Sequence, residues 1–525
     1  MGKRIEFDLD GSIKVLEGAI MMEKAVGSTF GPMGRTVLFK DQAGKIRFTK
    51  DGREVAAMIS LRDPLENMGA QLLKSVAEKT AKDVGDGTTT ATLLTRALFQ
   101  YALKYIAAGA DSDKLKRGMR LAIDRVKKDL DIVAEPLRGS ENLQQVALIA
   151  GNGDTELADH LVQAVGDSGS DFVIHIEKST GSISRVIKSN GLKYDKGFAS
   201  RHFITDQKGQ VVEFDTPSLL VTDLKIQSIT EIIHLLEESA SKNKPLVFIC
   251  DSIDETVLGG LVRNIQEGKL KLASTSVPGF GQQRSEILED IAVATGAKFI
   301  SKDEYSDLKA VKFTDLGECQ RIFIEEHTTF IVEGNKKDEL FDPYLNRMRS
   351  ILKNTDSDHE KESYRSRISA LTHGFVKLEL AALTETELAE RMERAADAIH
   401  AMRAAMQEGT VPGGGYSFYK SRDVLKRLAP IEQEVAMGIK IVIDALAVPI
   451  SRLLINAGKD PKVILGKLDA LDTVGYNVMN EEFEDLRIAG IIDPVKTLKT
   501  ALENAYSLSA LMLSSFCFIT ESSEN

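Results

Sequence analysis

Two stretches with helical hydrophobic spacing bracket a middle segment of short β-rich runs, and this order restricts the fold more than any single residue does. Residues 8–130 read as mostly helical, in long amphipathic runs, with Leu65, Met68, Leu72 and Val76 on one face and Leu121, Val126 and Leu130 contributing to another. The same spacing returns over 438–455 and 498–513. Between about 191 and 375 the runs Ser218–Thr222, Pro245–Cys250, Lys298–Ser301 and Arg321–Ile324 read as strands, alternating with helices such as 228–241. An α/β unit inserted into a helical domain needs two chain crossings. Gly191 and Gly374 stand at them and read either as hinges that absorb large φ/ψ changes or as ordinary strand and helix terminators. No internal repeat stands out, and the polar end of the chain, 520–525, is expected to fray.

Size and charge narrow the class. A chain of 525 residues, 43% hydrophobic and 28% charged, can bury large cores and should divide into two to four domains of soluble, globular type. Its 67 basic and 78 acidic residues give a net charge of −11 with no basic block, which argues against nucleic-acid partners. Cys250, Cys319 and Cys517 are few, scattered and odd in number, as expected in a reducing compartment. The eight histidines form no H-E-x-x-H and no Cys/His pair at ligand spacing, so a catalytic zinc is not expected. The start, Met1-Gly2-Lys3-Arg4-Ile5-Glu6, lacks an apolar export region, and Glu6 stands where a myristoylation motif wants Ser or Thr. The apolar stretch 510–519 is too short to span a bilayer and reads as a core helix or strand. A cytoplasmic protein with no membrane span is the expectation.

Chemistry concentrates in Val84-Gly85-Asp86-Gly87-Thr88-Thr89-Thr90-Ala91-Thr92, which sets two glycines, a carboxylate and three consecutive hydroxyls at the mouth of a helix read over 88–108. A helix N-terminus offers unpaired N–H groups and a positive dipole end to an anion. Gly85 and Gly87 permit close backbone approach, and Asp86 can hold Mg2+ against phosphate oxygens. No G-x-x-x-x-G-K-[ST] occurs, and Thr90 stands where G-x-G-x-x-G needs its third glycine, so the site would be neither a Walker loop nor a dinucleotide fingerprint. A plain turn followed by threonine N-caps accounts for this segment equally well on its own.

Further segments join it in order: Thr29-Phe30-Gly31-Pro32-Met33-Gly34-Arg35, Thr49-Lys50-Asp51-Gly52, Glu66-Asn67-Met68-Gly69-Ala70, Pro278-Gly279-Phe280-Gly281, Asp397-Ala398-Ile399-His400, Gly413-Gly414-Gly415 and Asp493-Pro494. Over nearly its whole length the chain resembles the group I chaperonins, the GroEL family. The resemblance implies a multidomain α and α/β fold: a helical equatorial domain (1–132 and 408–525), a small α/β intermediate domain (133–189 and 375–407) and an inserted α/β apical domain (190–374). It also implies an ATPase in a double heptameric ring of fourteen subunits, which encloses non-native polypeptides under a GroES-type co-chaperonin, with Mg2+ and K+ as ions. Residue by residue, Thr29, Phe30, Gly31, Pro32, Lys50, Asp86, Gly87, Thr88, Thr89 and Thr90 match the family's phosphate and magnesium cradle. Gly414, Asn477, Val478, Met479 and Asp493 match the base and ribose side. Asp397 matches the carboxylate that orients the attacking water, and Asp51 a second carboxylate near it. Phosphoryl transfer to water needs charge neutralisation and in-line positioning, and these residue types supply both. Without the resemblance, Asp397 reads as one more charge on a solvated helix face.

The chain also departs from the family pattern. Where the adenine side usually reads Asn-Ala-Ala, this chain has Asn477-Val478-Met479, larger side chains whose accommodation in a packed site typically costs about 1–3 kcal/mol. The apical groove matches Phe198, Phe203, Ile233, Leu236, Leu258 and Val262, but His202 replaces an aromatic and Arg263 an aliphatic. Such a groove binds unfolded chains by burying apolar area at roughly 25 cal/mol per Å². A guanidinium there either adds a charge to be desolvated, snorkels its stem over Val262 to favour acidic ligands, or points to solvent. A Gly-Gly-Met tail is not present, as in a diverged paralogue with altered material at the cavity floor. Three readings follow: an ATP-driven folding machine, a holding protein that kept the fold but lost productive cycling, and a small-molecule kinase or phosphatase, which lacks an accompanying sugar- or acid-binding constellation.

Overall fold

The computed structural model describes residues 3–40, 44, 46–137, 139–166, 174–179, 183–189, 191–206, 210–355, 357–428, 432–471 and 474–521. Met1, Gly2, Asn190 and the last four residues, which the sequence reading touched, lie outside the described residues. The chain separates into two compact units. One is Met1–Gln163, Lys178–Ile183 and Leu380–Asn525; the other is Ala164–Glu177 and Ser184–Glu379.

The first unit is helical, as the 3.6-residue spacing predicts. Asp8–Gly27 packs on Pro64–Val84, Thr88–Ala107 on Val495–Leu513, and Ser112–Val133 on Gln433–Ala445. Close approach explains two of the glycines: a Cβ at Gly18 would lie 1.7 Å from the Glu66 carbonyl oxygen, and one at Gly69 1.9 Å from that of Val15. No side chain fits between these backbones. Leu65, Leu94, Ala97, Leu98, Val126 and Leu130 are buried in the shared core, whereas Leu121 is 51% exposed. Leu121 therefore does not share the core face: three residues past the buried Gly118, it has rotated beyond the apolar stripe. The stretch 438–455 is two helices, Gln433–Ala445 and Val448–Asn456, the second opening with Pro449 in its first turn. The stretch 510–519 divides between the end of Val495–Leu513 and the strand Cys517–Glu521. That strand pairs with Lys3–Phe7, so Thr520 and Glu521 are held opposite Arg4 and Lys3 rather than frayed.

The second unit is built on a sheet in which Leu272–Thr275, Leu246–Ile249 and Ser218–Val221 run parallel, followed by Gly317–Ile324, Thr329–Gly334 and Gly191–Tyr194 in antiparallel pairing. All residues of the three parallel strands are buried, the pattern of a sheet covered on both faces. Two expectations need correction. The run 298–301 forms no strand, only a single bridge from Ile300 to Thr222, and the expected helix 228–241 opens as the 3-10 turn Ile229–Glu231 before Ile233–Ser241. Gly191 is seated in the sheet, where a Cβ would meet the Ile331 carbonyl oxygen at 1.9 Å, and Gly374 caps the helix Asp358–His373 at φ 68°. Among the described residues no helix is long and apolar enough to cross a membrane.

Candidate active site

Three turns of the first unit carry the candidate residues. The helix Asp8–Gly27 ends in the segment Ser28–Arg35, closed by hydrogen bonds from the Gly34 amide to Gly31 O (2.9 Å) and from the Arg35 amide to Ser28 O (2.8 Å). The buried Thr29 hydroxyl donates to Val26 O at 2.8 Å. Asn456 holds this turn from outside, its side-chain amide donating to Gly27 O (2.9 Å) and Phe30 O (2.8 Å). The second turn is Asp51, the N-cap of Gly52–Met58, whose carboxylate accepts from the amides of Arg53 (2.9 Å) and Glu54 (3.3 Å). The third runs from the end of Pro64–Val84 to the start of Thr88–Ala107. Gly85 and Gly87 stand in the left-handed region at φ 76° and 81°, and the Gly87 amide donates to Asp86 Oδ1 at 2.5 Å.

These turns meet. A Cβ at Gly52 would lie 2.3 Å from Thr89 Oγ1 and 3.6 Å from Thr29 Oγ1, so the two threonines flank the Asp51–Gly52 backbone. Lys50, half-buried beside them, forms no ion pair among the described residues. On the far side, Gly413–Gly415 links the strand Thr410–Pro412 to the helix Tyr416–Lys426 and lies against Asp493 on the strand Ile492–Pro494, where a Cβ at Gly413 would be 2.8 Å from Asp493 Oδ1. A small apolar cluster carries both sides: Leu453 touches Gly31, Ile450 touches Gly415, and Phe30 packs against the group. Pro32 is exposed at the tip of the first turn.

The base-side residues stand differently from their sequence reading. Val478 is buried in that cluster with Tyr416, Tyr419 and Leu454, and Met479 is 62% exposed. Asn477 spends its side chain locally, donating to Glu484 (2.7 Å) and accepting from the Met479 amide (2.9 Å). The extra bulk is thus absorbed by core packing and by solvent.

Asp397 lies on the helix Glu385–Glu408, and three residues one turn apart, Glu393, Asp397 and His400, face the turns just described. His400 rests on Gly85, where a Cβ would be 2.0 Å from its Cγ; Arg53 reaches Glu393 at 3.8 Å. Burial first, then the charges of Asp86 and Asp51, push the Asp397 carboxyl up to about 8. Glu393 is pushed up to about 7 by burial, Asp51 and Glu54, with Arg53 opposing. Asp493 rises to about 7 through burial and Asp86. Asp86 is itself raised, by burial and Asp51, against the pull of the Gly87 amide. Acidic groups raised together by burial and by one another are a pattern common at functional sites and shared by some structural charge networks. Sequence reading missed Glu393, Arg53 and Asn456. For Glu393 a signal existed, since it lies four residues before Asp397 and so on the same helical face.

The site fits a magnesium-bound phosphate chain. Its donors, the carboxylates of Asp51 and Asp86 and the hydroxyls of Thr88, Thr89 and Thr90, are hard oxygens of the kind Mg2+ takes. Beside Gly87, Thr497 keeps a buried hydroxyl with no hydrogen-bond partner among the described residues.

In the second unit, the helix Glu255–Gln266 packs on the 3-10 turn Arg201–Phe203. Ile233 is 46% exposed, Phe198, Leu258 and Val262 are half-buried, and His202 and Arg263 are exposed. Phe203 and Leu236, read as groove residues, are instead 1% and 6% exposed and belong to the sheet's core.

The chaperonin gp146 from the bacteriophage EL 2 (Pseudomonas aeruginosa), crystallised in the presence of ATP-BeFx, shares this fold at a TM-score of 0.74 and 21% identity, with 99% of each chain covered. Residues 22–519 match the sequence model of the TCP-1/cpn60 chaperonins, and the chain belongs to the TCP-1/cpn60 chaperonin family.

Proposed function

We propose that this chaperonin hydrolyses ATP at the cleft formed by Thr29–Pro32, Lys50–Asp51, Asp86–Thr90 and Gly413–Gly415, and uses the cycle to bind and release non-native polypeptides. The observation that carries this reading is that the helix bearing Asp397 seats His400 against Gly85, which brings Asp397 into the field of Asp51 and Asp86 beside the N-terminus of the helix Thr88–Ala107. In it, Lys50, the Gly31 amide and the amides and hydroxyls of Thr88, Thr89 and Thr90 hold the phosphates, aided by the helix dipole. Asp86 would hold Mg2+, which neutralises phosphate charge. Asp397, whose ionised form the charge of bound Mg2+ would favour, orients the attacking water, Asp51 stands beside it, and Asp493 with the Gly414 backbone takes the ribose side.

Crystallisation of gp146 in the presence of ATP-BeFx supports nucleotide binding here. By family, we extend the reading to equatorial, intermediate and apical domains at the boundaries given above, a double ring of fourteen subunits, a GroES-type lid, K+ and a cytoplasmic setting. Hydrolysis should depend on Asp397 more than binding does, since a water-orienting carboxylate acts in the transition state. Asp397→Ala should slow phosphate release severely with nucleotide affinity changed only a few-fold, whereas Asp86→Ala should weaken magnesium-nucleotide binding itself. Equal losses of rate and affinity in Asp397→Ala would sink the assignment.

A second reading, a holding protein with weakened cycling, is favoured by the exposed Arg263 and His202 beside Val262 and Phe203. Lid-stimulated refolding of a denatured enzyme separates the two, and native mass with and without ATP tests whether 57.5-kDa subunits assemble in fourteens.

A further inference from the structure

Arg53 stands between the two parts of the site. Its Nε lies 3.8 Å from Asp51 Oδ2, and its terminal NH2 lies 3.8 Å from Glu393 Oε1, so one guanidinium spans the carboxylate at the cradle and a carboxylate on the helix that carries Asp397. Neither Arg53 nor Glu393 is among the residues the chaperonin resemblance assigns. On Glu385–Glu408 the residues 393, 397 and 400 share one face, with Asp397 in the middle: His400 is seated against Gly85 at one end, and Glu393 is reached by Arg53 at the other. A flat guanidinium can address two carboxylates at once, which a lysine ammonium does less well. Both side chains are partly exposed, 50% for Arg53 and 37% for Glu393, and the distances are those of ion pairs rather than hydrogen bonds. Such a contact is weak enough to open.

We propose that Arg53 and Glu393 form a latch that positions Asp397 over the phosphate cradle, Arg53 clasping Asp51 and Glu393 together and so holding the helix Glu385–Glu408 against the cradle. The latch deepens the ATPase reading and rests on it for its catalytic consequence. Glu54 and Glu390 also face Glu393, and their repulsion, with that of Asp51, is what Arg53 offsets. Without Arg53, the face carrying Asp397 meets only negative charge from the helix Gly52–Met58.

The experiment compares Arg53→Gln, Glu393→Gln and the double variant with the unaltered protein. Single-turnover hydrolysis, equilibrium binding of Mg-ADP and hydrogen–deuterium exchange over 385–408 are measured. An exposed ion pair should be worth about a two- to five-fold change, so each single variant should hydrolyse ATP about two- to five-fold more slowly. Mg-ADP affinity should stay within two-fold, exchange in the helix should rise, and the double variant should be no worse than either single one. Unchanged hydrolysis and exchange in both single variants, multiplying losses in the double, or an affinity loss equal to the rate loss would overturn the latch. Absence of hydrolysis in the unaltered protein would refute the ATPase reading instead. The latch would then be decided by exchange alone: a shared, non-additive rise supports it, and no rise overturns it.

Discussion

Replacing Gly85 by alanine should damage catalysis from outside the set of residues that touch nucleotide. Gly85 sits at φ 76°, so any side chain adds left-handed strain of roughly 1–2 kcal/mol. The Cβ would also lie 2.0 Å from His400 Cγ, 2.4 Å from Cδ2 and 2.5 Å from Cβ. Rotating the imidazole relieves the first two contacts but not the third, because Cβ is fixed to the helix backbone. Ordinary contact begins at 3.4 Å, so the helix must retreat by about 0.9 Å, and Asp397 is one turn from His400. Misplacing a catalytic group by about 1 Å can cost on the order of 100-fold. Gly85→Ala should therefore lower kcat about 10- to 100-fold, and adding His400→Gly, which removes the obstructing Cβ, should recover much of the loss. Gly109→Ala is the control: its φ is 90° with nothing within 4 Å, so it carries the strain without the displacement. Steady-state phosphate release and thermal unfolding are measured on all four proteins. A Gly85→Ala rate within two-fold of the unaltered protein, or no recovery on adding His400→Gly, would refute the reasoning.

Stability without nucleotide or Mg2+ should fall as pH rises from 6.5 to 8.5. Asp397 (about 8), Glu393 (about 7) and Asp493 (about 7) hold protons in the folded state that the unfolded chain releases at about pH 4, so stability declines from there up to those values and levels off above about 8. His400, held below its usual value, acts in the opposite sense only below about 6.5. A melting temperature that rises across this window, or an unchanged slope in Asp397→Asn, would contradict the electrostatics described. Phe203→Ala should destabilise the protein by about 3–5 kcal/mol in chemical denaturation, while Ile233→Ser should leave stability nearly unchanged and weaken capture of an unfolded protein. Equal effects of the two on stability would show that burial has been misread. Arg263→Val with His202→Tyr should strengthen capture of a non-native protein and of a GroES-type lid and make it less salt-sensitive. Unchanged binding of both ligands would remove these residues from any account of how the groove differs.

Local features of this protein were legible in its sequence because their causes are local. Helical spacing over most of 8–130 and in 498–513, the β-rich runs at 218, 245 and 321, and the glycines opening Thr88–Ala107 depend on neighbours a few residues away, and they appear where the spacing puts them, apart from the hairpin Val37–Lys40 and Ile46–Thr49 inside the first stretch. The ordered motifs likewise carried the family. The run 298–301 misled because a short apolar segment has the same composition whether or not a neighbouring strand takes its hydrogen bonds. Tertiary structure alone decided which residues share an environment. Val478 became core, Met479 surface, and Phe203 part of a sheet's packing, because burial depends on what the fold brings up against each face. Asp397 has the composition of a surface charge. Its raised pKa, and the meeting of Arg53 with Glu393, arise from chain segments far apart in sequence, whose fields act only once folding sets the distances.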